Sequence, residues 1–550
     1  MKGVVTGCIL FFSHTGVTGL ANSPEIAAGE EPSPKSITEL GTLDPHLFYF
    51  EPGVDQELVW KVISGVPETG DLDYEITDYH GDQVAAGTAT TADDIRVTAT
   101  VNLPRGYYQV HFPNLGVQFG LAVLPYRDPA LEPDRFFSVH AELCHDDRLT
   151  YLTAADQEVR HENLFKVLHT IGIRQVRDRL VIGKFAPRPN KWDWYGTDYR
   201  YDDARVLFEQ YDIDFLPNNA IAPNWMRRAD DVISGSNLEE NKYPSDLIAY
   251  TDAYLKITNR WQQSMKRIEI WNEPSGMTYD RLGPLIHAMA YAFQSAGQDV
   301  ELVSGVFAGI KEGYAAHLRS MECWDALDMV TFHTYSSPEQ MEARTALYKN
   351  TAGGEENPYL PVGISETGMK YIGGHWPTLG QEVDRAEMIV GNAVEARASG
   401  NEFFFPFKYL AARFSDGDNQ TQHTLNDKYG TPFLSFASYA HSIVQLAHKE
   451  YLGDLQVDHS SLVRTRVFGD GSEAVAVLYN TGEAAIDMGV PVQAIHGMDG
   501  RELSPGAGGE VITKDRIVYV TFNQADVTGM IDSETPAMEL YQRSRDSDLM

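Results

Sequence analysis

The sequence predicts a (β/α)₈ barrel flanked by an N-terminal and a C-terminal β-sandwich, and three observations carry that reading. Between about Phe136 and Leu446, short β-rich runs alternate with amphipathic helical stretches. Before and after this block, short strands follow one another without helical periods. Within the block, the β-rich runs recur at a spacing of roughly 30 to 50 residues and make up eight βα units, the rhythm of a closed barrel. The predicted boundaries are 1–23 for a leader, 24–42 for a linker, 43–130 for the first sandwich, 131–447 for the barrel and 448–546 for the second sandwich.

The elements follow in order. In "MKGVVTGCILFFSHTGVTGLANSPE", Lys2 precedes an apolar run from Val4 to Phe12, and small residues follow from Ala21 to Ser23. This resembles a secretory signal peptide and predicts a secreted or periplasmic protein, or a cytoplasmic one should the leader not function. "NSPEIAAGEEPSPKSITELG" has the Pro, Gly and Glu content of a linker. "LVWKVIS", "DYEITDY", "IRVTATV" and "YYQVHF", parted by "PETGD", "HGDQ" and "LPRG", read as strands of the first sandwich. Barrel strands are expected to begin near Phe136, Ile173, Ile213, Ile268, Leu302, Met329, Pro361 and Glu402. "DQEVRHENLFKVLHTIG" and "RAEMIVGNAVEARASG" between them carry apolar residues at three- and four-residue spacing, with Gly172 and Gly400 placed to end the helices. "SLVRTRVF", "EAVAVLYN", "DRIVYVTF" and "AMELYQR" form the second sandwich.

Composition bounds the function. A chain of 550 residues exceeds one hydrophobic core, and 43% apolar content fits a packed globular protein. Lys and Arg number 44 against 78 acidic residues, a net charge of −34. Nucleic acid and anionic membranes need a basic footprint, so neither is an expected partner. Neutral substrates fit, although a local basic pocket or a salt-rich habitat is also compatible with this charge. Beyond the leader no run reaches the roughly 18 apolar residues of a membrane span. The 3 cysteines, Cys8, Cys144 and Cys323, form no metal-ligand spacing, so no metal or cofactor is expected, and buried thiols are preferred to a Cys144–Cys323 bridge. The oligomeric state is not indicated.

In a barrel of this kind the active site lies at the C-terminal ends of the strands. "RIEIWNEP" places Glu273 at the end of strand four, and "GISETG" places Glu366 at the end of strand seven, three βα units later. Strands four and seven face each other across an eight-stranded barrel. Two carboxylates converging on a sugar-sized pocket supply what glycoside hydrolysis needs: one protonated to assist the leaving oxygen, one ionised to attack the anomeric carbon.

"WNEP" together with "SETG" resembles clan A of the glycoside hydrolases, and "KWDWYGTDYRYDDARVLFEQYDIDFLPN" is similar to the family 39 branch of that clan. The resemblance, which extends to family 5, implies a retaining β-glycosidase with Glu273 as acid/base, Glu366 as nucleophile and Asn272 bonding the sugar 2-hydroxyl. "FHTY" resembles the clan's His-x-Tyr, which implies Tyr335 beside the nucleophile and His333 in the pocket. "QVRDR" implies that Arg177 keeps the nucleophile ionised, with Arg179 its rival. Asn219 is a subsite candidate by its place after strand three. Trp225, Trp376 and Tyr409 are stacking candidates, because a pyranose presents an apolar face to a ring. Lys408 is a candidate partner for a carboxylated sugar, while Asp416 and Asp418 read as a solvated turn without cation-site spacing. The expected partner is a carbohydrate. A catalytically idle carbohydrate-binding protein and a transglycosylase with the same residues are the alternatives.

Overall fold

The computed structural model describes residues 39–532 apart from 65–70, 93–95, 126–131, 146–150, 195–199, 220, 228–241, 275–278, 308–311, 354–360, 371–376, 411–422, 458, 481 and 514–515. The leader, most of the linker, Trp376, Asp416, Asp418 and "AMELYQR" lie outside the described residues.

The centre of the molecule is an eight-stranded parallel sheet. Its strands are β1 (Val139–His140), β2 (Gln175–Arg179), β3 (Asp214–Asn218), β4 (Arg267–Glu269), β5 (Glu301–Phe307), β6 (Met329–His333), β7 (Val362–Thr367) and β8 (Phe404–Pro406). Each pairs with its sequence neighbour, and the bridges Phe137–Phe404 and His140–Phe407 close the ring. The intervening helices include α1 (Ala154–Ile171) and, after β7, a long helix Leu379–Ala398. Both begin with a threonine whose hydroxyl caps the first turn in a reciprocal capping box, Thr153 with Asp156 and Thr378 with Gln381. Gly172 ends α1 at φ 94°, a left-handed conformation that favours a residue without Cβ.

Inside the barrel, Leu216, Val303, Met329, Phe403 and Phe405 form a buried apolar cluster. Gly363 makes this possible, since a Cβ there would stand 2.5 Å from the Phe403 ring. On β1, β2 and β4, buried polar side chains stand among the apolar ones: His140, Arg177 and Glu269.

The N-terminal domain is a sandwich, antiparallel but for the parallel pairing of Tyr49–Phe50 with Val117–Val123, whose long strand Gln83–Ala92 pairs with both Leu72–Asp78 and Arg96–Val101, joining its two layers. Trp60 sits at its centre, edge-on to Phe48 at 5.7 Å and to Phe112 at 5.0 Å. Residues 39–42, assigned above to the linker, are instead a strand paired antiparallel with Gln56–Ser64, with Leu40 fully buried. One apolar anchor and a free strand edge suffice to order a segment whose neighbours read as linker. The C-terminal domain holds a six-stranded antiparallel sheet and a two-stranded one. It is tied to the barrel by Glu395, whose carboxylate receives Arg464 at 2.6 Å and Arg466 at 2.7 Å. Among the described residues no helix is long and apolar enough to cross a membrane.

Candidate active site

The β4 ladder ends at Glu269, and the chain continues through buried Ile270 and Trp271 to Asn272 and Glu273. Glu273 has φ 44°, a left-handed conformation uncommon for a residue with a side chain and further disfavoured before Pro274. Strain of this kind persists where the surroundings over-determine it, and it collects at functional sites. Across the barrel, Glu366 occupies the penultimate position of β7, its side chain 13% exposed against 38% for Glu273. One carboxylate is recessed and the other stands at the rim.

His333, at the end of β6, lies between them. Its Nδ1 is 2.7 Å from Glu273 Oε1 and its Nε2 is 3.5 Å from Glu366 Oε2. One ligand atom from each of Glu273, His333 and Glu366 lies within 4.8 Å of the others. Both Glu366 oxygens are already engaged, Oε2 by Arg177 at 3.2 Å and Oε1 by the Tyr335 hydroxyl.

Arg177 organises the floor. It is fully buried, and its five N–H groups meet five acceptors. Nε and one terminal nitrogen donate to the two oxygens of Glu269 at 3.2 and 2.6 Å, and that same terminal nitrogen donates to Asn272 Oδ1 at 2.5 Å. The other terminal nitrogen reaches Glu366 at 3.2 Å and His140 Nδ1 at 2.7 Å. His140 therefore accepts at Nδ1 and carries its proton on Nε2.

Electrostatics separates the two facing carboxyls. Burial raises Glu273 above the ordinary carboxylate range, and Arg177 only partly opposes this. Glu366 faces two donors, the Arg177 guanidinium and the Tyr335 hydroxyl. Burial pushes His333 down to about 3, with Arg177 aiding and the Glu366 charge resisting, so the imidazole between the carboxyls is neutral. Burial and then the Glu366 charge hold the Tyr335 hydroxyl protonated, as a donor.

Of the residues read from sequence, the structure gathers Glu273, Glu366, Asn272, Arg177, His333 and Tyr335 around one point. Others it engages with different partners. Asn219 is buried with its amide on the Tyr250 hydroxyl at 2.6 Å, so it braces the β3 end from behind. The Trp225 indole donates to the Ala186 carbonyl at 2.8 Å, and Tyr409 is wholly buried against Phe436. Lys408 is wholly buried and paired with Glu142 at 3.1 Å, which takes up the charge proposed for a carboxylated sugar. Arg179 is half exposed, 3.9 Å from Glu142, and the arginine that reaches Glu366 is Arg177. Cys144 and Cys323 are separate buried thiols.

Glu269, His140 and His423 were missed. Glu269 had a signal: a carboxylate between Ile268 and Ile270 in an apolar strand must be buried, and a buried carboxylate needs a cation. His140 reaches the site by its register opposite Arg177, and His423 by its ring lying 5.6 Å from Tyr335.

Comparison with known proteins bears on this geometry. No protein-family model matches the chain, and no curated protein matches it in sequence. Solved structures do match. A family 39 glycoside hydrolase from the gut symbiont Bacteroides cellulosilyticus WH2 superimposes with TM-score 0.68 at 14% identity, covering 88% of this chain and all of that one. An endo-β-1,6-glucanase gives 0.51 at 12% identity, covering 82% and 99%. The catalytic domain of a family 30 xylanase from Talaromyces cellulolyticus gives 0.50 at 15% identity, covering 71% and 98%. The chain has the fold of clan A glycoside hydrolases. At these identities the likeness is one of fold, and the site's chemistry rests on its own residues.

Proposed function

We propose that this chain is a retaining glycoside hydrolase that cleaves β-linked oligo- or polysaccharides by double displacement. The observation that carries the reading is the pairing of Glu273 and Glu366, with carboxylate oxygens within 4.8 Å across a neutral histidine. Retaining enzymes hold their carboxyls about 5 to 5.5 Å apart, and inverting ones about 6.5 to 9.5 Å. The unequal environments supply the roles. A Glu366 oxygen attacks the anomeric carbon while Glu273 gives its proton to the departing glycosidic oxygen, which leaves as an alcohol. Glu273, now a carboxylate, takes a proton from water. The resulting hydroxide adds to the anomeric carbon and releases Glu366. Arg177 and Tyr335 hold the nucleophile in place, and Asn272, fixed by Arg177, faces the sugar. The glycosidases sharing the fold support a carbohydrate partner, and the Lys408–Glu142 pairing favours neutral sugars over uronic acids. The leader-like segment at 1–23 makes export part of the proposal, to be checked by N-terminal sequencing of the mature protein.

The test is chemical. A 2-fluoro glycoside inactivator should esterify Glu366, and Glu273→Ala should regain turnover of an activated aryl glycoside when azide is added. NMR of the first-formed sugar should show the β-anomer. Release of the α-anomer would overturn the mechanism, and binding without turnover across a panel of β-glucans, xylans, mannans and galactans would favour the idle alternative.

A further inference from the structure

Glu269 belongs to neither half of the double displacement. It is fully buried at the end of the β4 ladder, and it takes two of the five Arg177 donors at 2.6 and 3.2 Å. The remaining three donors go to Asn272, His140 and Glu366. A planar guanidinium gripped along one edge by a carboxylate fork has only its orientation left to give, so the fork decides where the other edge points.

Charge adds a second consequence. Were Glu269 absent, the whole Arg177 charge would fall on Glu366, and an over-stabilised carboxylate attacks poorly. Arg177 also acts through space to hold Glu273 charged, the opposite of what a general acid needs. A carboxylate bound to the guanidinium, as Glu269 is, offsets such an influence. The groups facing the guanidinium are His140 from β1, Glu269 and Asn272 from the β4 segment, and Glu366 from β7, with His333 and Tyr335 from the β6 end beyond. In this set Glu269 is the one carboxylate with no access to substrate.

Resting on the glycosidase reading above, we infer that Glu269 is the positioning residue of the site: it aims Arg177 at Glu366 and Asn272, and it balances the guanidinium so that the nucleophile stays reactive and Glu273 keeps its proton.

The test uses the full chain and two variants. Glu269→Gln keeps shape and loses charge. Its Glu273 carboxyl, followed by ¹³C NMR on side-chain-labelled glutamate and assigned through Glu273→Gln, should titrate on the order of one pH unit lower than in wild type. Inactivation by the 2-fluoro glycoside should slow about 10- to 100-fold. Glu269→Asp keeps the charge but withdraws the fork by one methylene. It should leave the Glu273 titration at its wild-type position while slowing inactivation about tenfold, and it serves alone if the Gln variant does not fold. An unmoved titration in Glu269→Gln, or wild-type inactivation in Glu269→Asp, overturns the inference even if melting is lowered. The titration is readable without turnover, so a wild type inert toward every glycoside would count against the glycosidase reading and leave this one measurable.

Discussion

Replacing Arg177 by Met removes the cation beneath the site at nearly constant volume. The wild-type pair is fully buried on both sides, so Glu269 would be left charged, desolvated and without its bidentate partner. Removing one member of such a pair costs about 3 to 5 kcal/mol. For a domain of the barrel's size each kcal/mol moves the midpoint by about 2 °C, so the calorimetric transition should fall by about 6 to 10 °C. The deficit depends on pH. Burial already raises Glu269, with Arg177 opposing, and without Arg177 its folded-state value climbs further above the unfolded one. Between the two values the folded state binds a proton that the unfolded state has released, so stability declines as pH rises. The loss should therefore be smaller at pH 5 than at pH 8. Adding Glu269→Leu removes the orphaned charge, and the double variant should recover at least half of the loss. Melting of Arg177→Met within about 2 °C of wild type at pH 8, or no recovery in the double variant, would refute this account of the pair.

Other outcomes follow from single contacts. Tyr335→Phe deletes the hydroxyl on Glu366; a hydrogen bond to a charged group contributes about 1.5 to 3 kcal/mol, so aryl-glycoside turnover should fall roughly 10- to 100-fold with melting almost unchanged, because the ring is 44% exposed. Glu273 is raised and must be protonated to act as acid, so kcat/KM should decline on the alkaline side as pH passes its raised value. Glu273→Gln should abolish that limb, and a limb unmoved in this variant would sink the assignment. In the helix after β7, burial pushes Glu382 up to about 7 while it accepts from Gln109 and the Leu434 amide. Between its ordinary value and about 7 the folded state holds the extra proton, so wild type should lose about 3 kcal/mol relative to Glu382→Gln as pH rises through that window. Parallel melting curves for the two proteins from pH 4.5 to 7.5 would contradict it.

Barrel strands were legible because each is an apolar burst bounded by turn residues, and the ladders start within a few residues of the expected positions. The catalytic candidates were legible because "WNEP", "FHTY" and "SETG" are contiguous. What was not legible depends on direction. Asn219 sits at a strand end, as a site residue should, but its amide points sideways to Tyr250. Tyr409 has the right chemistry for stacking and the wrong exposure. His140 enters the site through a lateral register with Arg177 that no local pattern encodes. Lys408 shows the same limit for charge: its partner Glu142 comes from the opposite end of the barrel sequence.

Glu269 and Glu273 show most directly how the fold divides one chemistry into two roles. They are four residues apart, with the same side chain, on one segment. Glu269 lies within the ladder, where alternation turns it inward onto a guanidinium. Glu273 lies past the ladder, where a left-handed backbone turns it toward the rim and onto a neutral imidazole. Arg177 supplies one positive charge to the floor, and Glu269 and Glu366 already share it. A third ionised carboxyl would place a second uncompensated negative charge in a site whose histidines are kept neutral by burial. On the proposed mechanism, the proton on Glu273 follows from the charge count beneath it, and it is released when glycosylation of Glu366 removes one of those charges. The proposed acid would then become a base because its neighbour had become an ester.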